Sequence, residues 1–126
     1  MDILITLPLH LCKELLSGRK TVELRSVSPK HFNPLFNKVY VVTKGTHTIC
    51  LVFTVRRFVE FTDVETCWDY VGNKICASRE WFTKYAETKR KLVAWEIGLV
   101  SPYMPHLTTH KRLNIKSNPQ SYIYVS

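Results

Sequence analysis

The sequence predicts an α+β fold: a small, mostly antiparallel β-sheet curled towards a barrel, with about three short helices packed outside it. Three observations carry this. Six segments have strand character against three with helical periodicity. Their order, β-α-β-β-β-α-α-β-loop-β, lacks the strand–helix–strand alternation of a parallel sheet. The chain has 126 residues, 45% of them hydrophobic, which suits one domain over residues 1–126 with one real core.

The first strand follows from Ile3, Ile5 and Leu7 alternating with Leu4 and Thr6 up to Pro8. Leu11, Cys12, Leu15 and Leu16 then repeat at helical spacing, and Gly18 ends that helix. Lys20 to Arg25 reads as a second strand, with Val22 and Leu24 on one face and Thr21, Glu23 and Arg25 on the other. Ser26 to Pro34 is a loop carrying Lys30, His31 and Phe32. Lys38 to Thr43 is the third strand, and Lys44-Gly45-Thr46 turns into a fourth over Thr48 to Val59. Consecutive Arg56 and Arg57 interrupt its alternation and predict a bulge.

Thr62-Asp63-Val64-Glu65 has the form of a capping box, opening a helix through Trp68 and Val71 that Gly72 and Asn73 end. Ser78 caps the next helix, in which Trp81, Phe82 and Tyr85 recur at packing spacing. Lys91 to Val100 is a strand with Val93, Trp95, Ile97 and Leu99 on one face, and Tyr122 to Val125 is a further strand. Between them lies a proline-containing loop, Ser101 to Gln120. Trp68, Trp81 and Trp95 sit at amphipathic or alternating positions, expected to pack in the core rather than serve as base-stacking platforms.

With 18 Lys and Arg against 10 Asp and Glu, the formal net charge is +8. Such a field attracts polyanions, here RNA or another nucleic acid, although an inert basic surface has the same composition. Cys12, Cys50, Cys67 and Cys76 form no CxxC pair and have no histidine at metal spacing, so they read as structural thiols of a reducing compartment, with no metal and no cofactor expected. The N-terminus lacks a basic leader, and no apolar run approaches the ~20 residues of a membrane span. A cytoplasmic protein with no membrane partner is expected.

The segment Gly18-Arg19-Lys20-Thr21-Val22-Glu23-Leu24-Arg25 concentrates the chemistry. Lys20 and Arg25 can hold a phosphate or a base edge, and Glu23 can orient Arg25, accept from an exocyclic amine, or act as a base if burial raises its pKa. Opposite charges two residues apart also fit an exposed ion pair. Arg56 and Arg57 offer phosphate contacts, with at least one of them facing away from the core, or simply guard a sheet edge. Lys91 closes the run Lys84, Lys89, Arg90, which equally suits a solvated helix end. Lys111, Arg112 and Lys116 suit a basic flap, and His106 with His110 lack a third metal ligand. Tyr122 and Tyr124 face outwards if Ile123 and Val125 face the core, and can then stack on bases, with Ser121 as a donor at the cleft rim.

Gly18, Lys20, Glu23 and Arg25 reproduce a GxKxxExR pattern, and on these residues the chain resembles the ASCH domain family of the PUA-like superfold. Trp81 to Tyr85 followed by Ala94-Trp95-Glu96-Ile97 is similar to that family's later helix and strand, and Pro119-Gln120-Ser121-Tyr122 to its closing strand. The resemblance implies a small β-barrel with a cleft beside the first helix and second strand, and RNA as partner, either bound or chemically processed. One group of the family deacetylates N4-acetylcytidine with a lysine, a threonine and a glutamate, and another cuts RNA. Lys20 matches that lysine, but Glu23 stands at the threonine's position and Asn73 and Lys74 near the glutamate's. Thr21 is displaced by two residues, about 7 Å along a strand, too far to replace the nucleophile.

The sequence therefore predicts an RNA-binding module that recognises a single-stranded or modified nucleotide in a basic cleft. The candidate contacts are Lys20, Thr21, Glu23, Arg25, Arg56, Arg57, Lys91, Ser121 and Tyr122. The alternative is a metal-free hydrolase of RNA or a modified nucleoside with Lys20 and Glu23 as its acid–base pair. A protein-interaction domain with incidental charge is a third reading.

Overall fold

A computed structural model describes residues 1–103 and 121–125. The elements run β1 (Asp2–Leu7), α1 (Leu9–Ser17), β2 (Val22–Arg25), β3 (Lys38–Thr43), β4 (Ile49–Phe61), α2 (Val64–Val71), a 3₁₀ turn (Gly72–Ile75), α3 (Arg79–Glu87), β5 (Leu92–Pro102) and β6 (Tyr122–Val125). The strands form one sheet in the order β2-β5-β4-β3-β1-β6. Every neighbouring pair is antiparallel except β1 with β3. One parallel pair among antiparallel ones fits the mostly antiparallel sheet expected; the thirty residues between Leu7 and Lys38, holding α1 and β2, supply the long crossover such pairing needs.

The sheet curls into a half-barrel with three helices against it, as the sequence predicts. β2 and β6 are its two edges, yet the Arg25 guanidinium Nη1 donates to the Ser121 carbonyl, next to β6, at 3.2 Å. Alternating side chains give the sheet two apolar faces. Ile3, Ile5, Val39, Val41, Phe53, Val93 and Trp95 pack with Cys12 and Leu15 of α1 in the main core. Val22, Leu24, Leu92 and Ala94 point the other way, against Cys67 and Val71 of α2 and Phe82 and Ala86 of α3. β5 is thus buried on both faces where it begins, which explains its unbroken Leu92-Val93-Ala94-Trp95 run.

Local departures from the sequence reading have physical causes. β2 begins at Val22, because the backbone N–H groups of Lys20 and Thr21 bond to the carbonyls of Glu14 and Lys74 instead of forming a strand ladder. The cap of α2 is Asp63 rather than Thr62; its carboxylate accepts from the Thr66 amide at 2.8 Å. The expected bulge in β4 is present as register shifts around Phe53–Arg57. Those shifts carry Leu99 out of the core, where it is 77% exposed. Trp95 is fully buried, but Trp81 is 47% exposed and is not a core residue. All four cysteines are free thiols, with Cys12 and Cys50 Sγ atoms 3.4 Å apart. Among the described residues, no helix is long and apolar enough to cross a membrane.

Candidate nucleotide-binding cavity

α1 stops at Gly18, whose φ of +83° is a left-handed conformation that glycine adopts without steric cost. The reversed chain directs the Lys20 side chain inwards, and Lys20 is only 3% exposed. Its ammonium donates to the Val22 carbonyl at 2.8 Å, to the Ile75 carbonyl at 3.2 Å and lies 3.0 Å from Glu23 Oε1. Three partners account for all three ammonium donors. The other Glu23 oxygen accepts from Arg25 Nε at 2.7 Å. Arg25 also lies over the Trp95 ring, its guanidinium carbon 5.7 Å from the centroid.

Glu23 is 5% exposed. Burial pushes its carboxyl pKa up, but the charges of Lys20 and Arg25, with their hydrogen bonds, outweigh burial and hold it below the ordinary carboxylate value. Glu23 is therefore an ionised acceptor with both oxygens engaged. The triad of cation, anion and cation carries one surplus positive charge.

This triad borders a cavity of about 560 Å³. Leu7, Leu11, Leu24, Val27 and Ile75 contribute apolar wall, while Ser78, Trp81, Tyr85 and Lys89 bring in α3 and the residues flanking it. An apolar pocket with a few convergent polar groups is the usual form of a small-ligand site. The Trp81 and Tyr85 rings stack at 10° with centroids 5.1 Å apart, and Lys89 lies over Tyr85, its Nζ 5.1 Å from the centroid. Burial raises the Tyr85 pKa, keeping the phenol protonated.

The structure gathers Lys20, Glu23, Arg25 and Ser121 at this cavity and leaves the other predicted residues elsewhere. Thr21 and Arg56 line a separate hollow of about 240 Å³ with Tyr70, Lys74 and Glu96. Arg57 is exposed and ion-paired with Glu96 at 3.1 Å. Lys91 pairs with Glu60 on the surface, at 3.0 Å. Tyr122 and Tyr124 do not face outwards as a free stacking pair: both are half-buried against the main core, edge-on to one another. The basic flap at Lys111, Arg112 and Lys116, and the histidines His106 and His110, lie outside the described residues.

Sequence reasoning missed Trp81 and Tyr85 by assigning the α3 aromatics to the core. It assigned Lys89 to a solvated helix end. The signal was present in the spacing: Trp81 and Tyr85 follow one helical row, while Phe82 and Ala86 follow the buried one, and Lys89 comes just after the helix ends.

No family model matches the chain, and no curated protein matches it by sequence. Solved structures do. The ASCH protein from Zymomonas mobilis superposes with a TM-score of 0.83 at 20% identity, covering 99% of this chain and 87% of that one. A serine-to-alanine variant of the same protein gives 0.84 at 20% identity, covering 99% and 88%. A tyrosine-to-phenylalanine variant gives 0.83 at 21%, covering 99% and 90%. The chain has the PUA-like fold of the ASCH domain structures.

Proposed function

We propose that the chain is an RNA-binding module that takes a single-stranded or modified nucleotide into the cavity beside Lys20, Glu23 and Arg25. The observation that carries this reading is the buried triad with its surplus positive charge at the edge of a largely apolar pocket. A surplus buried charge is costly unless paired, so the pocket favours an anionic occupant. Arg25 is the group that meets it. A guanidinium has five N–H donors, and two of those of Arg25 are committed, to Glu23 and to the Ser121 carbonyl. The remaining donors suit a phosphate or a base edge. The net charge of +8 supports attraction of a polyanion.

The same geometry supports binding over the hydrolase reading. Lys20 has its three donors occupied, and Glu23 is held below the ordinary carboxylate range, away from the near-neutral pKa of an efficient general base.

Fluorescence anisotropy with a labelled single-stranded RNA tests the reading. Arg25→Lys keeps the charge but loses the planar fork, and is expected to weaken binding about tenfold, in line with a hydrogen bond to a charged group. Equal affinity of the intact chain and Arg25→Lys overturns the assignment of Arg25. RNA cleavage or nucleoside hydrolysis that vanishes in Glu23→Gln while binding persists replaces the module with an enzyme.

A further inference from the structure

We propose that Trp81 is the platform on which the bound base stacks, so that the cavity reads the flat ring of an unpaired nucleobase and not the sugar–phosphate chain alone. This rests on the RNA-binding reading and assigns its base selectivity to a residue outside the charged motif.

The stacking geometry distinguishes this pair from every other ring pair among the described residues. The others meet at interplanar angles from 45° to 86°, tilted or edge-on, whereas Trp81 and Tyr85 lie at 10°. Offset-stacked and edge-to-face pairs are both favoured ring contacts, and only the stacked form presents a parallel layer. A parallel pair is a layered arrangement that another flat ring can extend.

The layers are also filled in order. Trp81 and Tyr85 lie four residues apart, one turn along α3, and Lys89 follows just beyond the Thr88 cap. Lys89 Nζ lies 5.1 Å from the Tyr85 centroid, and the Trp81 ring stacks on the same Tyr85. No further ring or cation among the described residues stacks on Trp81. Trp81 lines the cavity and is 47% exposed.

The Ser78 hydroxyl accepts from the Trp81 backbone N–H at 3.0 Å, so the platform is fixed at the capped first turn of α3. The cavity thus combines an aromatic face on α3 with guanidinium donors from β2, matching the base and the phosphate of one nucleotide. A base held in a duplex is stacked on both faces, so such a platform selects single strands.

The experiment compares the intact chain, Trp81→Ala and Trp81→Phe, each shown by circular dichroism melting to be folded, on two labelled probes of equal length. One is oligoadenosine RNA and the other is the same ribose–phosphate chain without bases. The intact chain is expected to bind oligoadenosine about tenfold more tightly than the abasic chain, within the range of a base–aromatic stack. Trp81→Ala loses that preference while keeping the abasic affinity, and Trp81→Phe retains most of it. Trp81→Ala that keeps the preference, or that weakens both probes equally, overturns the platform and leaves RNA binding standing. Failure of the intact chain to bind either probe overturns the RNA-binding reading and the platform with it.

Discussion

Replacing Lys20 by methionine keeps a long side chain in the same buried space and removes its charge. The Val22 and Ile75 carbonyls then lose a donor, and Glu23 keeps only Arg25 as a charged neighbour. Breaking a buried pair from one side costs about 3–5 kcal/mol, so Lys20→Met is expected to lower unfolding stability by that amount in urea titrations. Glu23 gives the matching pH dependence. Its folded pKa lies below the unfolded one, so its contribution is complete above the unfolded carboxylate value, about 4.3, and is lost as pH falls through the folded pKa. Melting temperatures followed from pH 6 downwards should fall more steeply for the native chain than for Glu23→Gln; parallel curves would refute the assignment. The charges of this cluster and their meeting in one cleft were legible in the sequence, although an unbroken strand from Lys20 would by parity turn Lys20 away from Glu23. The turn at Gly18 and the late start of β2 at Val22 remove that parity and let both tips meet.

At the scale of elements, Gly98 shows how closely β4 and β5 approach at the bulge. A Cβ added there would fall against the Thr54 hydroxyl, which accepts from the Leu99 amide at 2.8 Å. Gly98→Ala must turn that hydroxyl away and lose its bond. Overpacking of this kind costs about 1–3 kcal/mol, and a denaturant midpoint unchanged from the native chain would show that the strands separate freely instead. Helix termini were largely readable, because Gly18, Gly72 and Ser78 act through local backbone chemistry. Which face of α3 turns to the cavity was not, since Trp81 and Phe82 are equally apolar and only the position of the sheet tells them apart.

Across the whole molecule, the curl of the sheet brings β2 to the residue preceding β6, and the chain carries a net charge of +8. Four phosphate contacts on a single strand predict a log–log slope of affinity against salt near −3, measured by anisotropy between 50 and 200 mM salt. A flat dependence would remove electrostatics from the account. The antiparallel character and the helix count were readable from pattern, because both follow from alternation and short-range signals. The β1–β3 parallel pairing was not, since it depends on which distant strands find one another.

The placement of β1 between β3 and β6 has a bearing on biosynthesis. A strand made before either partner is flanked by one neighbour from residues 38–43 and another from residues 122–125. While a ribosome is still adding the intervening residues, one side of that strand has its ladder groups unanswered, an invitation to pair with strangers. Chains lacking residues 122–125 are therefore expected to aggregate more readily than chains that have them.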